Sequence, residues 1–460
     1  MNRFLLTGAL ALFFLAGSAQ DQDSLFIHRL ADEILVNGKA YANLRVLTKT
    51  VGGRLSGSPQ YYRAEAWGRK ALEDAGADKV YMQECLVPHW TRGGRDTAWW
   101  TGGNPAAGAG GSPMDILALG NSRGTGPGGI HAPVIMVHSF EELAQRSGEV
   151  KGKIVFYNYP FNPRFTETFR AYSDAVRYRV AGASSAARYG ALAVLIRSMT
   201  ASVDNNPHTG VMLYNDSFPQ VPAAAMGLRD ADKLAAALDR KQAVEIYLKT
   251  MGKMLPDTLA HNVIGEIRGE QYPDEIITVG GHLDSWDPAE GAQDDGAGCV
   301  HSIEVLRALK AIGYHPRHTI RVVLFANEEN GLRGGKKYAD EAKAKKEKHL
   351  FALESDAGGF TPRCFSFSLS DERLAGIRPW LRWLQPYGVY EFTRGGGGAD
   401  VGPVGELGAT VSELVPDSQR YFDYHHARND VLENVNKREL ELGAINMAAL
   451  VYLVDKYGLK

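Results

Sequence analysis

Three apolar runs of strand length in the second half of the chain each end beside side chains that can bind a metal ion. The runs span residues 274–280, 319–326 and 350–354, and the side chains that follow them are those of His282, Asp284, Glu328, Glu329 and Asp356. Short runs rich in β-branched residues are typical of buried strands, and ligands collect beyond the carboxyl ends of strands in open α/β sheets. The chain is therefore predicted to be an α/β protein with its chemistry at strand ends.

Residues 280–296 (GGHLDSWDPAEGAQDDG) carry the first group of such side chains. The carboxylate of Asp284 is placed to accept the proton on one ring nitrogen of His282, the pairing that fixes the tautomer of a metal-binding histidine. Asp294 and Asp295 come just before a predicted helix. Because aspartates also cap helices for reasons unrelated to metals, these two residues alone leave both interpretations open.

Two further places carry the same kinds of side chain. Glu328 and Glu329 are adjacent at the end of a predicted strand, where two carboxylates repel each other unless a cation or protons intervene; a solvated loop is the alternative. Near the C-terminus, a strand-like run precedes His425 and His426, and Asp430 follows four residues after the second histidine. A site for metal-assisted hydrolysis explains all these groups of histidine and acidic residues together. Without a metal, each group would need its own structural explanation, such as a helix cap or a solvated loop.

Four motifs spread over the chain resemble one known family. They are GRLSGS at 53–58, VPHW at 87–90, GHLDSWD at 281–287 and ESDAG at 354–358. The family is that of the co-catalytic di-zinc peptidases, which includes bacterial leucyl aminopeptidases, glutamate carboxypeptidases and glutaminyl cyclases. The resemblance implies a three-layer α/β/α zinc-peptidase domain with a mixed sheet, interrupted by an inserted β-rich protease-associated domain.

The same resemblance implies a metal site with two Zn²⁺ ions per chain. Its ligands would be His282, Asp294, Glu329, Asp356 and His426. Asp294 would bridge the two ions, with His282 and Asp356 on one ion and Glu329 and His426 on the other. Glu328 would be the general base, acting on a hydroxide shared by the metals, and Asp284 would orient His282. Imidazole and carboxylate ligands suit zinc, and each ion keeps an open position for water.

Four residues beside these ligands are candidates for supporting the site or contacting substrate: Asp295, Asp400, Tyr421 and His425. Asp400 follows four consecutive glycines, which permit close backbone approach, and in the family an Asp follows such a loop near the metals. A flexible loop with a solvated Asp is the alternative interpretation. Tyr421 comes shortly before His426 and could point its hydroxyl at the oxyanion or at the substrate terminus.

The domain organisation is predicted from changes in composition. We expect a signal peptide at 1–19, a first part of the peptidase domain at 20–114, an insert at 115–254, and the second part, with all metal ligands, at 255–460. Gly- and Pro-rich stretches between residues 102 and 129 mark the first boundary. The turn at 150–155 resembles the protease-associated domain. The insert is expected to cover or narrow the active site; a spacer without that role is the alternative.

Charge and targeting signals predict an exported enzyme. The net charge of −2 gives no electrostatic reason to expect nucleic acid or an anionic membrane as a partner. Asn2 and Arg3 precede an apolar stretch and then small residues, the order of a secretory signal, so we expect a periplasmic or extracellular protein that leaves the membrane after cleavage. Three cysteines do not indicate a disulfide framework. The resemblance also implies a homodimer.

The predicted function is that of a secreted exopeptidase that hydrolyses dipeptides or short peptides. The alternatives are aminopeptidase-type specificity at the same site, acyl transfer of the glutaminyl cyclase kind, and a non-catalytic binding protein. A complete set of ligands for two metals counts against the last two. An arginine would suit a substrate carboxylate, and Arg54, Arg394 and Arg428 are candidates by their position in the sequence.

Overall fold

The computed structural model describes residues 22–101 and 111–459. The predicted signal peptide, residues 1–19, lies outside the described residues, as does most of the first Gly- and Pro-rich stretch; export therefore stays a prediction. Within the described ranges, no helix combines the length and the apolar character needed to cross a membrane.

The described residues form sixteen strands and fourteen α-helices. The strands are β1 Lys79–Thr91, β2 Thr97–Thr101, β3 Ser112–Met114, β4 Ile116–Ala118, β5 Ile130–Val137, β6 Ile154–Tyr157, β7 Ala193–Arg197, β8 Ala223–Met226, β9 Glu245–Lys249, β10 Lys253–Ile267, β11 Tyr272–His282, β12 His318–Phe325, β13 Lys348–Glu354, β14 Pro362–Phe367, β15 Glu391–Arg394 and β16 Thr410–Pro416. The helices are α1 (residues 22–37), α2 Ala40–Val46, α3 Pro59–Asp74, α4 Phe140–Gln145, α5 Thr168–Ala187, α6 Leu228–Asp239, α7 Ala297–Ala311, α8 Glu328–Gly331, α9 Arg333–Lys345, α10 Asp371–Ile377, α11 Leu381–Leu384, α12 Gly402–Gly405, α13 Tyr421–Tyr424 and α14 Lys437–Tyr457.

The first sheet is mixed, as predicted, with the strand order β1-β10-β12-β11-β13-β16-β14-β15. Its four central strands, β12, β11, β13 and β16, run parallel to one another. Parallel strands end at the same edge of a sheet, and the registers of His282 with Phe325 and of Gly280 with Glu354 align these ends. The three strand-length runs of the sequence therefore deliver their polar side chains to one place.

Helices pack on both faces of this sheet. Strand β12 is buried throughout, and its side chains alternate between two apolar cores, as the two-residue period of a strand requires. Val322 and Leu324 belong to a core that includes residues of α7 and α14, whereas Val323 and Phe325 belong to a core with residues of α9 and α12. Each fully buried side chain of this size contributes about 1.5–3 kcal/mol, which explains why the sequence signal for β12 is a continuous apolar run.

A second mixed sheet is inserted into the first. Its order is β3-β2-β9-β5-β6-β7-β8-β4, and all of its strands lie between β1 and β10, which pair with each other. It begins at Thr97, earlier than the residue 115 predicted for the insert, because β2 pairs with β9. At the other end Met254, predicted as the last residue of the insert, pairs with Trp90 in the first sheet. Local composition did not reveal these long-range pairings.

Candidate metal centre and active site

The five predicted ligands lie together at the carboxyl ends of the central strands. They are His282 at the end of β11, Asp294 just before α7, Glu329 on α8 after β12, Asp356 after β13, and His426 after α13. Chain separations of up to 144 positions between them are closed by the sheet register. All five belong to one cluster of imidazole and carboxylate groups, in which His282, Asp294 and Glu329 are buried and Asp356 and His426 are half-buried.

The distances divide this cluster into two halves that share Asp294. On one side, Nε2 of His282 lies 3.2 Å from Oδ1 of Asp294 and 3.2 Å from Oδ1 of Asp356. On the other side, Nε2 of His426 lies 3.3 Å from Oδ2 of Asp294 and 3.2 Å from Oε2 of Glu329. Tetrahedral zinc with bonds of about 2.0–2.1 Å holds neighbouring ligand atoms about 3.3 Å apart. The residues therefore fit two ions of this size.

The charge of the cluster leads to the same conclusion. Asp294, Glu329 and Asp356 bring three carboxylates into a region with little solvent access, and Oδ2 of Asp294 has no hydrogen-bond partner among the described residues. Burial, together with the neighbouring carboxylate of Asp294, raises the pKa of Glu329 to about 7. Buried carboxylates at close range need compensating positive charge, which two divalent cations would supply.

Each ligand histidine is oriented by a backbone carbonyl. Nδ1 of His282 lies 3.0 Å from the carbonyl oxygen of Asp284, and Nδ1 of His426 lies 3.2 Å from that of Thr209. A proton on Nδ1 leaves Nε2 free to bind a metal. The sequence predicted the Asp284 carboxylate as the acceptor, and that prediction is wrong. Its Oδ1 is 3.7 Å from the ring because it accepts a hydrogen bond from the backbone amide of Glu328 instead.

Asp295 holds the backbone around His282. Its Oδ2 accepts a hydrogen bond from the amide of His282 at 3.0 Å, and its Oδ1 accepts one from the amide of Gly298 at 2.9 Å. A Cβ atom at Gly281 would lie 2.4 Å from this carboxylate, and one at Gly298 would lie 1.8 Å from the carbonyl oxygen of Ser355. Gly281 and Gly298 thus leave room for Asp295, whose two carboxylate oxygens accept hydrogen bonds from backbone amides.

Asp430 positions the shared aspartate. Its Oδ1 accepts a hydrogen bond from the amide of Gln293 at 2.7 Å, and its Oδ2 accepts one from the amide of Asp294 at 3.2 Å. In the sequence, Asp430 was notable only as the acidic residue four positions after His426. The structure adds a physical role, because this side chain connects the loop of His426 to the loop of Asp294.

His425 lies beside the cluster. Its ring stacks on that of His426 with a centroid distance of 3.5 Å, and its Nε2 is 3.9 Å from Oδ2 of Asp294, farther than the 3.3 Å of His426. The rings of Tyr172 and Phe422 pack against it. Burial lowers the pKa of His425 well below its usual value, so the ring is neutral and forms part of an aromatic wall.

The remaining two candidates, Asp400 and Tyr421, are both buried, but only Tyr421 lines the cavity. Asp400 is fully buried, with neither carboxylate oxygen hydrogen-bonded within the described part of the chain, and its amide donates to Glu354. The alternative of a solvated side chain is therefore wrong, and burial raises the pKa of Asp400 well above its usual value. Tyr421 is also buried, but it lines the cavity at the metal cluster and stacks on Phe169.

A cavity of about 450 Å³ opens onto the cluster. Its lining includes predicted ligands and the proposed base Glu328, together with residues of the insert: Phe169, Tyr172, Arg179, Val211 and Leu213. The insert therefore forms part of the cavity lining; that it covers or narrows the active site stays a prediction. Three larger clefts among the described residues, of about 620, 880 and 480 Å³, contain none of the five predicted ligands.

None of the three arginines suggested by sequence position lines this cavity. Arg54 is fully buried and donates to the carbonyl oxygens of Leu283 and Glu290, so it holds the backbone of the loop between β11 and α7. Arg394 pairs with Asp371 on the surface, and Arg428 donates to a carbonyl in the insert. The arginine at the cavity is Arg179, and no local sequence signal marks it because only tertiary packing brings α5 to the site.

A cluster of imidazoles and carboxylates at the carboxyl edge of an α/β sheet defines a class of metal-dependent hydrolase. The sequence model described as "Peptidase family M28" matches residues 262–451, which contain all five ligand residues. The chain belongs to this family and is a metallopeptidase.

Similar proteins extend the match over nearly the whole chain. "Carboxypeptidase Q" of Mus musculus is 36% identical over 416 residues, which cover 90% of this chain and 85% of that protein. "Carboxypeptidase Q" of Homo sapiens is 36% identical over 425 residues, which cover 92% and 87%. The four sequence motifs also resemble those of carboxypeptidase Q.

Solved structures share the fold. A "Peptidase M28 precursor" from Shewanella amazonensis SB2B superimposes with a TM-score of 0.90 at 33% identity, covering 96% of this chain and 98% of that chain. A zinc aminopeptidase from Bacillus subtilis has a TM-score of 0.64 at 21% identity, covering 91% and 95%. The second similarity concerns the fold alone.

Proposed function

We propose that this metallopeptidase is a co-catalytic exopeptidase with two Zn²⁺ ions that hydrolyses dipeptides or short peptides. The observation that carries the proposal is the position of Asp294, whose two oxygens face two different halves of the cluster at 3.2 and 3.3 Å. A carboxylate shared in this way is the arrangement that holds two metals about 3.5–4 Å apart. The ligands would be those predicted: His282, Asp294, Glu329, Asp356 and His426.

Two Zn²⁺ ions held by His282, Asp294, Glu329, Asp356 and His426 would supply Lewis acidity for activating water and polarising the scissile carbonyl. The chain supplies the proton transfer. Glu328 lines the cavity without a place in either half of the cluster, so its carboxylate is available to accept a proton from the attacking water. It then donates this proton to the nitrogen of the leaving amine as the C–N bond breaks. Asp284 supports this step by holding the backbone amide of Glu328.

The shape of the cavity supports a short substrate. Its volume of about 450 Å³ lies within the range of small-molecule sites, and residues of α5 in the insert line it together with Glu328 and Asp356. A long polypeptide would need an open groove on both sides of the scissile bond. Acyl transfer and ligand binding without catalysis are disfavoured because both halves of the cluster are complete.

Chelation separates these functions directly. Dialysis against a strong chelator is expected to abolish cleavage of unblocked dipeptides, and adding Zn²⁺ is expected to restore it, since the metals supply several kcal/mol of transition-state stabilisation. The assay is a panel of dipeptides with free ends and with either end blocked, measured before and after metal removal. Cleavage that resists chelation would overturn the two-metal proposal.

We further propose that the inserted sheet is a protease-associated module that limits substrate length. Thr91 and Lys253 are register partners at the adjacent ends of β1 and β10, so a short turn can replace residues 92–252 without separating the paired strands. The excised protein is expected to cleave longer peptides than the intact chain, and its zinc content is measured alongside because Thr209, whose carbonyl orients His426, is removed with the insert. Unchanged length specificity would mean that the insert is only a spacer. The homodimer implied by the resemblance stays a prediction.

A further inference from the structure

The insert makes two hydrogen bonds to the predicted ligand His426. Nδ1 of the His426 ring lies 3.2 Å from the carbonyl oxygen of Thr209, and the backbone amide of Thr209 donates to the carbonyl oxygen of His426 at 3.0 Å. Thr209 is fully buried and precedes His426 by 217 positions in the chain. Both the ring and the backbone of this ligand are therefore held by a distant segment of the insert.

The other half of the cluster is supported by the peptidase domain itself. Nδ1 of His282 lies 3.0 Å from the carbonyl oxygen of Asp284, and the backbone amide of His282 donates to Asp295. Asp356 follows β13 of the first sheet. Displacing the insert would therefore disturb the half that contains His426 and leave the supports of His282 in place.

The backbone of His426 has a conformation that needs such support. Its φ is +62°, in the left-handed region, which costs a residue other than glycine about 1–3 kcal/mol and persists only where the surrounding contacts hold it. The hydrogen bond from the amide of Thr209 to the carbonyl oxygen of His426 is one of these contacts. The insert thus stabilises the backbone conformation that directs this imidazole at the cluster.

The loop of the insert that contacts His426 is itself fixed in place. The hydroxyl of Thr209 donates to the carbonyl oxygen of Ala118 at 2.8 Å. The next residue, Gly210, has a φ of +133°, and a Cβ atom there would lie 2.4 Å from Nη1 of Arg179 and 2.7 Å from Nδ1 of His426. Only glycine lets the loop approach the imidazole this closely.

Further hydrogen bonds attach the insert to the segment around His426. On one side, the hydroxyl of Thr168 donates to the carbonyl oxygen of Ser418 at 2.9 Å. On the other side, Nη2 of Arg428 donates to the carbonyl oxygen of Ile116 at 3.0 Å. The insert therefore contacts this segment before, at and after the ligand, so that the two move together.

We infer that the insert is a structural part of the metal centre: the loop at Thr209 and Gly210 sets the zinc affinity of the half that contains His426. This inference rests on the proposed two-metal function. Coupling between two binding events is reciprocal, so zinc bound at this half in turn holds the insert against the site. Thr209 and Gly210 are positioning residues, since they act through the imidazole of His426.

The first test measures zinc affinity and not turnover. Gly210→Ala is expected to lower the affinity for one of the two zinc ions about 10- to 100-fold, the usual effect of disturbing the group that orients a metal-binding histidine. The affinity for the other ion should not change, and high zinc should refill the weakened half. The assay is a zinc titration of the full-length chain in competition with a chromophoric chelator.

The matched control is Gly152→Ala. Gly152 lies in the same insert and also has a positive φ, of +76°, but an added Cβ atom there would meet no other group within 4 Å. This variant carries comparable backbone strain away from the site and is expected to bind both zinc ions as the wild-type protein does. Melting temperatures of both variants are measured alongside.

The second test uses hydrogen exchange and needs no substitution in the insert. In the wild-type protein, zinc loading is expected to slow amide exchange in residues 208–212 at least about fivefold, within the usual range of coupling between sites. The amides of β7, in the middle of the inserted sheet, should not respond. Glu329→Ala removes a ligand beside His426 and should abolish the effect, whereas Asp356→Ala removes a ligand of the other half and should keep it.

The outcomes separate the inference from the function on which it rests. A wild-type protein that binds fewer than two zinc ions tightly overturns the two-metal proposal and the inference with it. Two tight ions whose affinities are unchanged or equally reduced in Gly210→Ala overturn the inference alone. Exchange in residues 208–212 that ignores zinc, or that responds equally in Glu329→Ala and Asp356→Ala, also overturns the inference, even if Gly210→Ala folds poorly.

Discussion

Replacing Glu328 by glutamine is expected to lower kcat by about 10²–10⁴-fold while leaving the zinc content unchanged. Glutamine keeps the size of the side chain but cannot accept the proton of the attacking water, and general acid–base catalysis contributes an effect of this magnitude. The backbone amide of Glu328 would still donate to Asp284, because that contact does not involve the side chain. The variant should therefore keep its fold and both halves of the metal cluster.

Two measurements on the same preparation check this prediction. Kinetics with a free dipeptide give kcat, and elemental mass spectrometry gives the number of zinc ions per chain. A fully active Glu328→Gln protein would remove Glu328 from the role of general base. A variant that lost zinc would instead place Glu328 among the ligands, contrary to its position outside both halves of the cluster.

Replacing the adjacent Glu329 by alanine is expected to reduce the zinc content from two ions to one and to lower turnover by at least about 100-fold. Oε2 of Glu329 lies 3.2 Å from Nε2 of His426, and its Oε1 accepts a hydrogen bond from the amide of Trp286. Without this carboxylate, His426 and one oxygen of Asp294 are left to hold that metal. The half formed by His282 and Asp356 keeps its own ligands, and losing one Lewis acid removes several kcal/mol of stabilisation.

The Glu328→Gln variant is the natural control, since the two glutamates are neighbours in the sequence but are given different roles. Zinc content and kcat are measured side by side for both variants and for the wild-type protein at equal zinc concentration. Retention of two tightly bound ions by Glu329→Ala would contradict its assignment as a ligand. Recovery of full activity at high zinc would show that the carboxylate affects affinity only.

The sequence was most informative where local pattern and long-range structure impose the same requirement. Strand β12 must bury both faces, so it is a continuous apolar run, and Glu328 and Glu329 follow directly from its end. Gly281 and Gly298 are small because the carboxylate of Asp295 and the carbonyl of Ser355 occupy the space beside them. Because each of these structural requirements restricts the residue type at a particular position, it is visible in the sequence.

Other features depend on contacts between distant segments and could not be read locally. The start of the insert follows from the pairing of Thr97–Thr101 with Glu245–Lys249. The hydrogen-bond acceptor for Nδ1 of His282 is the carbonyl oxygen of Asp284, because the carboxylate of Asp284 accepts a hydrogen bond from the backbone amide of Glu328. Residue type predicted the carboxylate of Asp284 as the acceptor, whereas the folded backbone brings its carbonyl oxygen closer to Nδ1 of His282, at 3.0 Å against 3.7 Å.

From the sequence alone, strand periodicity predicted the α/β class, the imidazole and carboxylate side chains after the predicted strands indicated a metal site, and the resemblance of four motifs implied the family. Only the tertiary structure decided which oxygen of Asp284 faces the ring of His282 and which arginine reaches the cavity. By its position in the sequence, Arg54 was a candidate for binding a substrate carboxylate, yet its guanidinium donates hydrogen bonds to backbone carbonyl oxygens. Arg179 lines the cavity, with Nη1 3.5 Å from Nδ1 of His426, because the insert packs against the loop of His426, a contact between segments far apart in the chain.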